Sequence, residues 1–193
     1  MKLIEIAREL NAVNRTILNS ADLMKVLNST NMNTVHKTAG RLVREGILKR
    51  LGKGLYVNAA KPPDKYEIAN CLYSPSYVSL ESALYRYGII AQAPYVITSV
   101  TPRKTKRKNA EGSDFEYVHI ASKYFCGYHN DNGILIAARE KALLDLLYLV
   151  AKKSRRFNIA GIDYKNFDRK RFRALLKSYA FLPLVNLVNK LNL

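Results

Sequence analysis

From Asn33 to about Glu45, Val35, Ala39, Leu42 and Val43 recur along one side of a helix, while Thr34, Lys37, Arg41 and Arg44 take the opposite side. A helix divided so cleanly must bury its apolar stripe against other elements and leave its basic side outward. The partners precede it. Leu3, Ile6, Ala7 and Leu10 are spaced for a short first helix over residues 3–11, and Ser20 stands where it caps a second, with Leu23, Met24 and Leu27 on its apolar face. Arg15 to Leu18 reads as a brief extended piece and Asn28 to Met32 as a polar turn. Asn33 reads as the cap of the third helix and Gly46 as its end.

After Gly46, Ile47 to Leu51 and Leu55 to Val57 are two β-prone runs around Gly52-Lys53-Gly54, the pattern of a hairpin. Helix, helix, turn, helix and hairpin in this compass is the order of a winged helix-turn-helix, in which the third helix enters the major groove with its N-terminal residues on base edges. Asn33, Thr34, His36 and Lys37 are the candidate base readers, being early in that helix. Arg41 and Arg44 lie further along and suit phosphates, and Lys49, Arg50 and Lys53 would set the hairpin's charge against phosphates or the minor groove. His36 reads equally well as a neutral exposed imidazole, and the whole module could serve protein contacts instead.

Charge favours the first reading. The chain has 193 residues with 32 Lys+Arg against 15 Asp+Glu, a formal net charge of +17. Residues 1–61 carry +7, residues 62–150 only +1 and residues 151–193 +9. Solubility asks for a net charge of only about 2–8 in a small domain, and basic ends of this density attract polyanions by counterion release. With 48% hydrophobic residues the chain has ample core material, which excludes disorder as the main reading. Cys71 and Cys126 are too few for a disulfide framework and suit a reducing compartment. The longest apolar run, Ala142 to Ala151, is broken by Asp145 and too short for a bilayer. The acidic Glu5 and Glu9 do not fit a secretion signal. The expectation is a soluble cytoplasmic protein.

Lys61-Pro62-Pro63-Asp64 is a stiff polar joint, so the sequence divides into a domain over 1–60 and a second over 61–193. In the second, helices are expected from Asp64 to Leu72, from a Ser79 cap to Tyr87, and from Glu140 to about Ala151. Tyr95 to Thr101, Phe115 to Ile120, Lys123 to Tyr128 and Ile134 to Ala137 are strand-like, giving a small antiparallel sheet. The fold class is therefore α+β: a winged helix-turn-helix, then a mixed domain with a small antiparallel sheet and C-terminal helices. Tyrosines 66, 73, 77, 85, 87 and 95 are better read as core than as base-stacking residues, because this segment is nearly neutral. Arg103, Lys104, Lys106, Arg107 and Lys108 read as a projecting hairpin loop that could touch nucleic acid or an acidic partner, or as a blunted sheet edge.

No catalytic constellation stands out. The chain lacks a nucleophile elbow, a metalloprotease helix and a phosphate loop. Cys126 and His129 have the spacing of half a zinc site, but Cys71 and His119 offer no second pair. Asp114 and Glu116 loosely suggest a metal-dependent nuclease without its catalytic lysine. No enzyme, metal or cofactor is expected.

Five segments then fall in order: Gly54-Leu55-Tyr56-Val57, Ser79-Leu80-Glu81-Ser82-Ala83-Leu84, Tyr87-Gly88-Ile89, Gln92-x-Pro94 and Glu140-Lys141-Ala142-Leu143-Leu144-Asp145-Leu146. This ordered set resembles the AbiEi-type antitoxins, the transcriptional regulators of type IV toxin–antitoxin systems, over about residues 1–150. The resemblance implies a winged helix that represses its own operon at inverted repeats in the promoter. It also implies a second domain that counters a nucleotidyltransferase-fold toxin, in phage defence by abortive infection. One departure is Ala138-Arg139, where the family often has a Thr-Pro-like helix start. Asp145, standing among leucines, is read as a partner of Lys141 one turn earlier rather than as a functional acid.

In the tail, Asp168 can cap a helix with Phe172, Leu175, Leu176 and Tyr179 on one side, and Leu184, Leu187, Val188 and Leu191 mark a last amphipathic helix. Both are expected to pack on the second domain with a basic outer face, away from membrane. The competing expectation is a winged-helix regulator whose second domain senses a ligand or protein, with no toxin. A nuclease-like enzyme is a third.

Overall fold

The computed structural model describes residues 3–13, 15–164 and 167–193, and its fold is mixed α+β. The chain forms two compact units, Met1–Leu72 and Tyr73–Leu193.

In the first unit, helices α1 (Leu3–Ala12), α2 (Ser20–Val26), α3 (Met32–Arg44) and α4 (Lys65–Leu72) accompany strands β1 (Ile17–Asn19), β2 (Leu48–Gly52) and β3 (Leu55–Asn58). The strands make an antiparallel sheet in the order β1-β3-β2. Its core takes Ile6 and Leu10 from α1, Leu18 from β1, Leu23 from α2 and the stripe Val35, Ala39 and Leu42 from α3, closed by Leu48 and Tyr56. Each buried Val, Leu or Ile among them stabilises the fold by about 1.5–3 kcal/mol, which is why the periodicity of α3 is decisive for its orientation. Two caps differ from expectation. Asn19, not Ser20, caps α2 in a reciprocal capping box with Asp22. Asn31, not Asn33, caps α3, its side chain accepting from the Asn33 and Thr34 amides. Each helix thus starts early because an upstream asparagine reaches the unsatisfied amides first.

The compact units divide after Leu72, whereas the proline joint suggested a division near Lys61 to Asp64. Helix α4 belongs with the first unit: the Thr16 hydroxyl donates to the Glu67 carboxylate, so a side-chain bond ties it back beside β1.

The second unit is built on a six-stranded mixed sheet in the order β6-β7-β5-β4-β9-β8. Its strands are β4 (Tyr77–Val78), β5 (Val96–Thr101), β6 (Lys106–Ala110), β7 (Ser113–His119), β8 (Tyr128–Asp131) and β9 (Ile134–Ala137). The pairs β5/β7 and β4/β9 are parallel, so the expectation of a small antiparallel sheet here is corrected. Two local surprises account for the difference. The basic run is not a projecting loop: Lys106, Arg107 and Lys108 lie in β6, an edge strand paired to β7 through a tight turn at Glu111-Gly112, both at positive φ. Lysine-rich sequence has weak strand propensity, yet charge is what a sheet edge tolerates. The expected strand over 123–128 is replaced by a 3₁₀ turn at Ser122–Tyr124, with Gly127 at φ +72 before β8 begins.

Helices α5 (Leu80–Arg86), α6 (Arg139–Ala151), α7 (Arg169–Leu176) and α8 (Leu182–Lys190) complete the unit. Helix α6 is buried on nearly every side, from Glu140 to Leu149, and packs with α5, α7, α8 and β9. That is the expected fate of a helix apolar all round. Ser79 does not cap α5 with its side chain: Thr98 of β5 accepts from the Ser82 amide instead, leaving the Ser79 hydroxyl to bond elsewhere. Asp168 caps α7 as its sequence suggests. Among the described residues no helix is long and apolar enough to cross a membrane.

Candidate nucleic-acid interface

Burial of Val35, Ala39 and Leu42 turns the other side of α3 outward, so Asn33, Thr34, His36, Lys37, Arg41 and Arg44 are all exposed. Because β2 is the edge of its sheet, Lys49 and Arg50 are exposed between buried Leu48 and Leu51, and Lys53 is exposed in the turn to β3. Helix and hairpin enclose a groove of about 800 Å³ between them. His36 and Gly40 line one wall, with Met32 and Val43 in the same helical row; Arg50, Lys53 and Tyr56 line the other.

The geometry thus brings His36 together with Arg50 and Lys53, while Lys37, Arg41 and Arg44 continue outward around α3. Among the described residues Lys37, Arg41, Arg44, Arg50 and Lys53 enter no salt bridge, so their charge is not compensated by a carboxylate of the chain. An uncompensated basic wall facing a groove can hold a polyanion, with arginine forks matching phosphate oxygens and lysines acting as point charges. Sequence reasoning had no means of finding the groove itself, since Gly40 and Tyr56 are 16 residues apart and carry no charge.

Gly40 stands out for what it lacks. It is exposed in the interior of α3, its φ is outside the left-handed region, and a Cβ built there would meet nothing within 4 Å. Glycine in a helix interior costs about 1 kcal/mol relative to alanine. Neither conformation nor packing within the chain asks for it.

The second unit treats its basic residues differently. Arg107 pairs with Glu116 across β6 and β7, and Arg155 bridges Glu81 and Glu116. Burial pushes the Glu116 carboxyl up, but hydrogen bonds from Arg107 and Arg155 outweigh it and hold the group below the usual glutamate range. Arg103 donates to the Ser74 carbonyl at 2.8 Å and stacks over the Tyr73 ring, whose hydroxyl donates to the Lys104 carbonyl. Burial and the neighbouring Lys106 push the Lys108 ammonium below its ordinary value. The run from Arg103 to Lys108 is therefore an ordered edge, partly spent on internal contacts.

The most polar part of this unit's interior lies on α6. Lys141 pairs with Asp145 one turn on, as its spacing suggested, and donates to the hydroxyls of Tyr77 and Tyr179, both at 2.9 Å. Asp145 also accepts from Ser79, Tyr77 and Tyr179 at 2.9–3.1 Å. Burial holds the Asp145 carboxyl above its ordinary value against the opposing pull of Lys141 and the hydroxyls, and burial beside Asp145 pushes both phenols far above their ordinary range. Every polar atom has a partner, and Tyr124 stacks on Tyr179 at 4.0 Å between centroids. The cluster is a fastening between β4, α6 and the segment after α7. Of the six tyrosines read as core, Tyr77 is wholly buried and Tyr66, Tyr73 and Tyr87 are half-buried, but Tyr85 and Tyr95 are exposed, the latter by 95%, which corrects the core reading for those two.

Asp114 accepts from Asn109, and Glu116 is held by two arginines, so neither carboxylate is arranged for a nuclease metal. Among the described residues no group of three or more His, Cys, Asp or Glu could hold a metal ion. No protein-family model matches the chain, and no curated protein matches it.

Proposed function

We propose that the first unit is a winged helix-turn-helix that binds duplex DNA with α3 in the major groove and the β2–β3 hairpin on phosphates. The observation that carries this reading is the exposed basic face of α3, without a salt bridge among the described residues, opposite Val35, Ala39 and Leu42 and continued by Arg50 and Lys53 across the groove. The order α1-β1-α2-α3-β2-β3, with its three-stranded antiparallel sheet, supports it. Together with the resemblance to AbiEi-type antitoxins, it leads to a cytoplasmic antitoxin that represses its own operon at inverted repeats and counters a nucleotidyltransferase-fold toxin through the second unit. No catalytic step belongs to this function.

A regulator with a ligand-sensing second unit is the alternative. It is favoured by a cavity of about 540 Å³ lined by Tyr87, His129, Arg139, Glu140 and Arg171, a size suited to a small molecule.

Titrating the protein against its own upstream promoter and a scrambled duplex across a salt series tests the DNA reading. Strong preference for the promoter is expected. Equal, steeply salt-dependent binding to both would reduce the basic face to a general polyanion footprint. Co-expression with the product of the adjoining gene tests the antitoxin role: relief of growth arrest is expected, and its absence would leave the regulator.

A further inference from the structure

Gly40 lies at the edge of the basic face of α3, on the side that lines the groove, without contributing to its charge. Its neighbours on α3, three and four residues away, are His36, Lys37, the half-buried Val43 and Arg44, and it lines the groove whose far wall holds Arg50 and Lys53. The space where its side chain would stand is open in the chain by itself. A destabilising residue standing where the protein alone gains nothing from it points to something outside the chain filling that space.

We propose that Gly40 is the contact at which a DNA strand runs directly against the backbone of α3, so that the missing side chain sets how deeply the helix seats. The inference rests on the DNA-binding reading above and adds a residue to it that carries no charge and no hydrogen-bonding side chain. A glycine lets a partner approach the backbone more closely than any other residue does. A methyl group at this position holds the strand outward and lengthens the contacts of the surrounding side chains together, out of the roughly 2.7–3.2 Å range of a good hydrogen bond.

The test is a series of Gly40→Ala, Gly40→Ser and Gly40→Leu in the full chain, each followed by thermal unfolding and by titration with the promoter duplex, with Lys53→Ala as the reference for lost phosphate contact. The expected result is an unfolding midpoint equal to or above wild type. Promoter affinity is expected to fall about tenfold for alanine and further for leucine. Unchanged affinity in all three variants, with wild type binding and Lys53→Ala weakened, overturns the role of Gly40 and leaves the DNA reading standing. A fall in affinity accompanied by a lowered midpoint also overturns it, since glycine would then serve the fold. Failure of wild type to bind any duplex removes both, and binding to a protein surface instead would give Gly40 a different partner and overturn the inference.

Discussion

Lys141 and Asp145 form an ion pair one turn apart on α6, with both side chains at 0% exposure. Such a pair is weak evidence for stability, because desolvating two charges costs nearly as much as their attraction returns. What it does is restrict alternatives: Lys141 is satisfied only when Tyr77 of β4 and Tyr179 beyond α7 arrive together.

Lys141→Met is therefore expected to destabilise the second unit by about 3–5 kcal/mol, because it leaves a carboxylate buried without its counter-charge. Adding Asp145→Asn to the same chain is expected to recover part of that loss by removing the stranded charge. Urea unfolding of both single variants and the double variant gives the coupling; strictly additive losses would show that the two residues act independently.

The caps separate structure from recognition on α3. Asn31→Ala is expected to cost about 1 kcal/mol of stability in the first unit, through loss of the bonds to the Asn33 and Thr34 amides. Asn33→Ala, on an exposed first turn, is expected to change stability by less than about 0.5 kcal/mol while lowering promoter affinity. Thermal unfolding by circular dichroism checks the first and duplex titration the second. Equal destabilisation by both would return the cap to Asn33.

Lys37→Ala is expected to weaken preference for the promoter over random duplex, since Lys37 is early in α3 and exposed. Lys53→Ala, in the hairpin turn, is expected to weaken binding to all duplexes and to reduce the salt slope by about one unit. Affinity measured at several salt concentrations on both duplexes distinguishes them. Equal losses on the two duplexes for Lys37→Ala would remove it from base reading.

Glu116 makes a pH prediction. Its folded-state pKa is held below the usual glutamate value of 4.5, because the hydrogen bonds from Arg107 and Arg155 outweigh the opposing effect of burial. A depressed carboxylate contributes stability that is present above the unfolded value and lost as pH falls through the folded one. Glu116→Gln is expected to lower stability above pH 4.5 and to flatten the acid limb of the stability profile below it. The effect is of order 1 kcal/mol at most, kept small by the exposure of Arg107. Denaturation midpoints from pH 3 to 7 check it; an acid limb unchanged from wild type would show that the bridge carries no linkage.

The sequence alone determined the elements whose signals are local. The stripe of Val35, Ala39 and Leu42 fixed which side of α3 is buried, and so which basic residues face outward. The 141/145 spacing fixed an ion pair within one helical turn, and the leucine-rich run from Glu140 to Ala151 marked α6 as a helix. Only the tertiary structure decided what depends on residues far apart. The strand β6 exists because β7 offers it a partner, against the poor strand propensity of Lys106, Arg107 and Lys108. Ser79 turns from a cap into a donor to Asp145, 66 residues on, because Thr98 satisfies the helix start in its place. The groove beside Gly40 appears only when β2 and β3 are folded against α3. Periodicity reports which side of an element is apolar, while pairing and cavities are set by what arrives on that side from elsewhere in the chain.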